Sequence, residues 1–464
     1  MADECGPSSF VDDERSIQIR FIKSSQKSSD ATFEFDIPNS IVSLAESVDY
    51  NRLNDVLKKM IEINGLLDIE FLSRINFDFI LNSQLLRSNL ADAIELLQLN
   101  RESVVELEVI VSIPPPEPKY ALPHEDWVSA VVMSNNVVVT GCYDDTICVW
   151  NNQGELLNKI SSHTGAVKCL SWLDRSNNDN TVFFASGSID QTICIWCYNC
   201  KEREIECLLT LRGHERSVEC VATCPVSRMH RLASGGFDSY LKIWSTEQVF
   251  EQDSTARKKA AESDARPSKK KLKPSRPVKV TDPSLGAPSA FPLVTLSGHR
   301  DSVTGLAWNP VDTTELWTVS MDATIKGWDL ELNGPKHNLT GSKAFTAVSI
   351  CPSQPHLLLT GSCDQFVRLW DSRSKEGSLV KASFRSHSGW ISDVRWSPGS
   401  GSTFASCSYD GMVKMWDTRS SNAPLFDLQG HAEKVLCLAW DVEQYIASGS
   451  ADCMLNIFKV GQNL

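Results

Sequence analysis

Residues 404–416 read FASCSYDGMVKMW, a hydroxyl at Ser406, an acid at Asp410 and an indole at Trp416. The same clause, Asp then five residues then Trp, recurs as Asp144…Trp150, Asp190…Trp196, Asp238…Trp244, Asp322…Trp328 and Asp364…Trp370, and with a ring change as Asp452…Phe458. Four residues before each Asp stands a hydroxyl: Thr140, Ser186, Ser234, Thr318, Thr360, Ser406 and Ser448. Six copies carry a His upstream, at His124, His163, His214, His299, His387 and His431, while the fifth reads Gly341-Ser342-Lys343 instead.

The Asp-to-Asp intervals are 46, 48, 84, 42, 46 and 42 residues. Units of about 40–45 residues with these landmarks are the signature of a four-stranded β-propeller blade. The second unit should hold strands at Val167–Trp172, Phe183–Ser188, Ile193–Cys197 and Glu206–Leu211. Such a sheet buries both faces against its neighbours, so its polar groups need partners. The Asp should accept bonds from turn amides and the His, the His should reach the Ser/Thr hydroxyl, and the hydroxyl should meet the Trp N–H. A motif repeated in nearly every blade marks architecture more than catalysis. In blade five another group or a water must close the network, and in blade seven Phe458 lacks the donor. The last copy is one strand short, and Tyr120–Leu122 can supply it as a clasp that removes the free sheet edges.

Outside the repeats the chain divides by composition. Residues 1–14 are small, polar and acidic, and are expected to be a disordered tail. Residues 15–113 alternate like strands at Ser16–Lys23 and Thr32–Ile37, then follow a helical period through Leu53, Val56, Leu57, Met60 and Ile61. Asp49 or Asn51 could cap that helix, and Asn64-Gly65 could end it. Phe77–Leu81, a turn at Leu85-Leu86 and Val104–Ile113 complete the order of a ubiquitin-like β-grasp domain. Residues 114–119 form a stiff Pro-rich linker, and the propeller occupies 120–461. The fold class is therefore mainly β, a seven-bladed propeller preceded by a ubiquitin-like domain. The 84-residue interval holds an insertion, 248–290, rich in Lys, Pro, Ser and Ala, expected to be disordered.

Composition narrows the function classes. An apolar content of 42 % and charged content of 22 % are those of a globular chain. No apolar run is long enough for a membrane span, and no signal peptide opens the sequence. The 15 cysteines read as reduced, mostly buried small hydrophobes of an intracellular protein. Residues 1–113 carry 20 acidic and 10 basic side chains, whereas 250–280 carry 10 basic and 4 acidic, within a formal total of −13. The insertion's two clusters, Arg257-Lys258-Lys259 and Lys269-Lys270-Lys271 with Lys273, suit a bipartite nuclear import signal and allow a weak RNA-phosphate contact. Trp127 and Trp390 fill the same slot in blades one and six, where other blades have small or polar groups, and are candidate interface anchors. Cys194, Cys197 and Cys200 have metal-like spacing but lie on or beside one strand, so no metal is expected. No catalytic motif is present, and neither enzyme activity nor a cofactor is expected.

The whole arrangement, with FDFILNSQLLRSNL (Phe77–Leu90), ESVVELEV (Glu102–Val109), HEDWVSAV (His124–Val131) and HSGWISDVRWSP (His387–Pro398), resembles the WD-repeat ribosome-biogenesis factors of the PeBoW complex. The resemblance implies a nucleolar and nucleoplasmic assembly factor for the large (60S) ribosomal subunit. It implies a propeller that binds the propeller of the block-of-proliferation protein, in complex with pescadillo. It also implies a notchless-type domain that presents Glu102 to the metal-ion-dependent adhesion site of the ATPase midasin, completing the shell of a partner-held Mg²⁺ and leading to release from pre-60S particles. A second resemblance rests on Trp370-Asp371-Ser372-Arg373 and Trp416-Asp417-Thr418-Arg419. This W-D-x-R pattern is similar to one that docks propellers on cullin-type ubiquitin ligase adaptors, and would make the chain a substrate receptor.

Overall fold

Among the described residues seven sheets follow one another along the C-terminal part of the chain, six of four antiparallel strands and one, in the second blade, with a parallel fifth strand added. The structure is a computed structural model. It describes residues 16–23, 37–45, 48–65, 72, 75–87, 89–100, 103–161, 163–173, 181–225, 230–249, 287–373 and 380–461. The chain divides into two compact units, one built on Met1–Ile113 and the other on Pro114–Thr418 and Pro424–Leu464.

In the first unit β1 (Ser16–Lys23) and β2 (Ile41–Ala45) precede α1 (Tyr50–Ile63). Then come β3 (Phe77–Leu81), β4 (Gln84–Leu85), α2 (Leu90–Leu96) and β5 (Val105–Val111). The sheet order is β2-β1-β5-β3-β4 with β1 and β5 parallel, the β-grasp arrangement. Asp49 caps α1 by accepting from the Arg52 N–H at 3.0 Å, and Asn64 with left-handed Gly65 ends it. Leu53, Leu57 and Ile61 face the core, joined by Ile17, Ile19, Phe21, Phe77, Phe79 and Leu107. Asn54, also buried, ties helix to sheet by a two-way bond with the Phe77 backbone, 2.8 Å in each direction.

Three features of this unit differ from the sequence reading. Ile41–Ala45 pairs with β1, a strand the sequence reading had not placed, while the expected strand Thr32–Ile37 lies outside the described residues except for Ile37. Ile41–Ala45 reads IVSLA, with Ser43 its one polar residue, so no period of two marks it as a strand. The turn after β3 is Asn82-Ser83, both with positive φ, and Leu85 belongs to β4 as a buried residue. Two consecutive left-handed residues are what a two-residue hairpin turn requires. A short helix, α2, was also not foreseen; Asn89 caps it through the Asp92 N–H.

The second unit opens with β6 (Glu117–Pro123), which pairs antiparallel with Met454–Lys459 and completes blade seven. The clasp therefore starts at Glu117, inside the expected linker, because pairing continues past a bulge to Glu117 opposite Lys459. The first strands of successive blades lie side by side in a closed circuit, ending with Val435–Val442 beside Val128–Met133. The strands expected in blade two are present as Val167–Trp172, Thr181–Ser188, Thr192–Asn199 and Glu204–Arg212. The expected insertion is described at both ends. Val249 is buried beside Trp244, and Ser289–Ala290 returns as a parallel fifth strand on Thr210–Leu211. Apolar contact and ladder bonds order these ends, while the basic clusters at 257–259 and 269–273 lie outside the described residues.

All seven first strands share one irregularity: a bulge follows the first residue, as at Val128, Val167 and Val218. A bulge disrupts the ladder locally. In this ring the carbonyl of that residue is taken by the preceding blade. Ser129 donates to Val167 O, Thr304 to Phe345 O at 2.8 Å, Thr346 to Ile391 O at 2.6 Å and Ser392 to Val435 O at 2.6 Å. The remaining donors are thiols, Cys169 to Val218 O at 3.9 Å, Cys220 to Val303 O at 3.5 Å and Cys437 to Val128 O at 3.6 Å. Seven bonds thus run once around the ring. Burial pushes these three thiols up, so they stay protonated and can donate.

Candidate binding surfaces of the ring

The repeated residues form the expected buried chains. In blade two His163 Nδ1 meets Asp190 at 2.9 Å, His163 Nε2 meets Ser186 Oγ at 2.7 Å, and Trp196 donates to Ser186 Oγ at 2.8 Å. The same three contacts join His214, Asp238, Ser234 and Trp244 in blade three, His299, Asp322, Thr318 and Trp328 in blade four, and His387, Asp410, Ser406 and Trp416 in blade six. In blade seven His431 bridges Asp452 and Ser448, and Phe458 leaves the hydroxyl without an indole donor. Each carboxylate also accepts the N–H of the residue after the His, as Asp322 does from Arg300 at 2.9 Å.

Two blades depart from the pattern. His124 turns Nδ1 to Leu122 O at 3.1 Å, at the end of the clasp, and does not reach Asp144. Asp144 instead accepts from Thr146 and pairs with Lys159 at 3.5 Å. Blade five, which has no His, is closed by Arg368. Its guanidinium binds Asp364 Oδ2 at 2.5 Å and Ser362 Oγ at 2.9 Å.

Burial disfavours the charge on Asp322, yet the Thr324 hydroxyl, the Arg300 N–H and His299 outweigh it and hold the carboxyl down at about 2. Burial lowers His124, His299 and His431, keeping each imidazole neutral. In His124, His299 and His431 a neutral ring that donates from Nδ1 and accepts at Nε2 is consistent with the contacts each makes. These groups hold the blades in shape, each His bonded at both ring nitrogens within its own blade or to the clasp.

The exposed candidates sit at one end of the ring. There the residue after each second strand donates its N–H to the residue before the first strand: Tyr143 to Trp127 at 3.0 Å, Tyr409 to Trp390 at 2.9 Å and Ala451 to Lys434 at 2.9 Å. Trp127 is 45 % exposed and meets Tyr143 edge-on, with ring centroids 5.4 Å apart; Trp390 is 50 % exposed and stacks on Tyr409 at 6.0 Å. Lys168 donates to the Tyr143 hydroxyl at 2.9 Å and lies 3.8 Å from Glu219, while Lys434 lies over the Tyr409 ring at 5.4 Å. The two tyrosines and two lysines were not singled out from sequence, although each Tyr directly follows a Cys or Ser that ends a second strand.

Glu102 lies outside the described residues; beside it Ser103 folds back on Asn100 O at 2.8 Å ahead of β5. In the W-D-x-R segments the exposed Arg373 pairs with Asp371, two residues before it, at 3.3 Å, and Asp417 is buried. Cys194 is buried, whereas Cys197 and Cys200 are half-buried. Among the described residues no group of three or more His, Cys, Asp or Glu has the placement to hold a metal.

Comparison with known proteins agrees with this architecture. The family model "WD domain, G-beta repeat" matches seven segments, 117–151, 154–197, 205–245, 290–329, 333–371, 378–417 and 422–459. The chain is 37 % identical over 427 residues to the "Ribosome biogenesis protein WDR12 homolog" of Anopheles gambiae, covering 92 % of each chain. It is 36 % identical over 426 residues to the namesake from Ixodes scapularis, covering 92 % of this chain and 96 % of that one. This chain belongs to the WDR12 family. The match to WDR12 relatives spans 92 % of the chain, so it is not a likeness of the repeats alone.

Proposed function

We propose that the chain is a non-enzymatic assembly factor for the large ribosomal subunit and its rRNA processing. The observation that carries the reading is the 36–37 % identity, over 92 % of the chain, to proteins named for ribosome biogenesis. In this reading the rigid propeller scaffolds the PeBoW complex by binding the propeller of the block-of-proliferation protein, with pescadillo in the assembly. The ubiquitin-like domain docks on midasin's adhesion site, where the Glu102 carboxylate completes the coordination of a Mg²⁺ held by midasin. Midasin then draws the factor off pre-60S particles. The basic clusters of the insertion carry the chain into the nucleus, where it works in the nucleolus and nucleoplasm, and they can touch rRNA phosphates weakly.

Two features favour this reading. A ring closed by a clasp and by a circuit of inter-blade bonds suits a scaffold that must transmit load. The buried chains occupy the repeated His and Asp side chains, leaving recognition to the surface. Glu102→Ala should abolish Mg²⁺-dependent binding to the isolated midasin adhesion domain while the circular dichroism spectrum stays unchanged. Retained, metal-dependent affinity would refute the docking assignment.

A further inference from the structure

The strands on either side of the Pro-rich segment are built to take tension differently. Tension passed along the chain from the first unit to the second leaves the first through β5. That strand is central in the order β2-β1-β5-β3-β4 and bonded on both sides, parallel to β1 and antiparallel to β3. Because β1 and β5 are parallel neighbours, a pull on the start of β1 and the end of β5 slides one along the other. Every bond between them is then loaded together. The next strand, β6, is an edge strand held on one side only, by Met454–Lys459. Its first residue, Glu117, stands opposite Lys459, the last residue of that partner. A pull that separates this pair opens the ladder from its end, one bond at a time.

The end of β6 that meets the tension first is also its weaker end. Pro118 has no N–H to give to the ladder, and a bulge between Ile457 and Phe458 breaks the register there. Lys119, left out of the pairing by that bulge, reaches across the partner strand to the strand beyond it. Its Nζ donates to the Tyr445 hydroxyl at 3.0 Å and lies 4.5 Å from the centre of the same ring. The far end is held harder. Leu122 is buried in the core shared by blades seven and one, and its carbonyl meets His124 Nδ1 at 3.1 Å. The His124 N–H in turn donates to Cys453 O at 2.8 Å.

We propose that β6 is a force-gated strap, latched by Lys119 on Tyr445: tension on the N-terminal unit strips it from Met454–Lys459, starting at Glu117, before that unit unfolds. Blade seven is then left with three strands and a free edge, and the closed ring becomes an open one. The strap has a use only in the reading above, where a partner pulls on the ubiquitin-like domain. Its mechanics belong to the chain alone and can be measured without that partner.

Optical tweezers on the full chain, with handles ligated enzymatically to its two ends, read the order of events. The first event should be a short, reversible gain in length of about 25 Å, from the seven residues of β6 at ~3.4 Å each. It should come at a lower force than the much longer gain from residues 16–111. Lys119→Ala should lower the force of the short event and leave that of the long one unchanged. Glu117→Cys with Lys459→Cys, oxidised to a disulfide across the pair, should abolish the short event until a reductant is added. The proposal is overturned by a first event with the length of residues 16–111, by a short event at unchanged force in Lys119→Ala, or by one that persists under the cross-link. Failure of midasin to bind would sink the docking assignment and leave these forces as they are, so the two failures are told apart.

Discussion

At the scale of single residues, the least replaceable groups are hydroxyls that serve two nitrogens at once. Ser234 Oγ lies 2.7 Å from His214 Nε2 and accepts from Trp244 Nε1 at 2.8 Å, all three buried. Ser234→Ala strands both nitrogens, and an unsatisfied buried group costs ~1–3 kcal/mol. Stability measured by urea unfolding should therefore drop by about 2–5 kcal/mol, while Ser234→Thr should retain most of it. Acid should act on the same chains in two stages. The folded state lowers His124, His299 and His431, so the unfolded chain binds more protons and stability falls as pH drops below ~6.5. Asp322, held at about 2, contributes stability that is present above its unfolded pKa of ~3.9 and is lost as pH falls toward 2. A urea midpoint that stays flat between pH 7 and 5 would contradict the first stage. The chains were legible because their spacing recurs; the exceptions were not, because they depend on which neighbour reaches the carboxylate first. The residue four after the Asp is basic in blades three to six, at Lys242, Lys326, Arg368 and Lys414. Where a His holds the Asp, the lysine turns to the fourth strand, as Lys414 does to Asp427 at 2.6 Å. Only in blade five, with no His, does the cation turn inward.

At the scale of elements, the clasp is the one strand that joins the two ends of the second unit. Its register runs from Pro123 opposite Met454 to Glu117 opposite Lys459, with Leu122 in the shared core of blades seven and one. Deleting Pro118–Leu122 should expose the backbone of Met454–Lys459 as a free edge. The expected result is a sharp fall in the cooperative melting temperature with concentration-dependent association; an unchanged melt by a monomer would remove the clasp from the account. The missing strand could be counted from sequence because a blade needs four. The placement of β2 could not, since Ile41–Ala45 (IVSLA) lacks a period of two and only its pairing with β1 shows it to be a strand. The inter-blade bonds were also missed, yet their signal is in the residues. Where Ser or Thr follows the first residue of the first strand, a hydroxyl bridges. Where Lys168, Glu219 or Leu436 stands there, the next residue is Cys, and its thiol bridges. Reading the cysteines only as small hydrophobes hid this donor role.

At the scale of the whole molecule, closure changes how damage spreads. An open repeat array is held by nearest-neighbour contacts and can fray from its ends. A ring whose last blade is completed by its first strand, and whose first strands are bonded once around, has no end from which to fray. Gly449, on the second strand of blade seven, tests this at the seam. A Cβ there would stand 2.5 Å from Val128 Cγ1 and 2.7 Å from Cys437 Sγ, the residues whose bond closes the circuit. Gly449→Ala must push blade one outward, an overpacking expected to cost ~1–3 kcal/mol. If the ring opens as one unit, amide exchange in blade three, at the paired strands Arg231–Gly236 and Leu241–Ser245, should accelerate by the same free energy as exchange in blades seven and one. Hydrogen exchange followed by mass spectrometry reads this directly. Faster exchange confined to the strands flanking the seam would mean that the blades open independently, and that closure adds no cooperativity beyond the contacts of each pair.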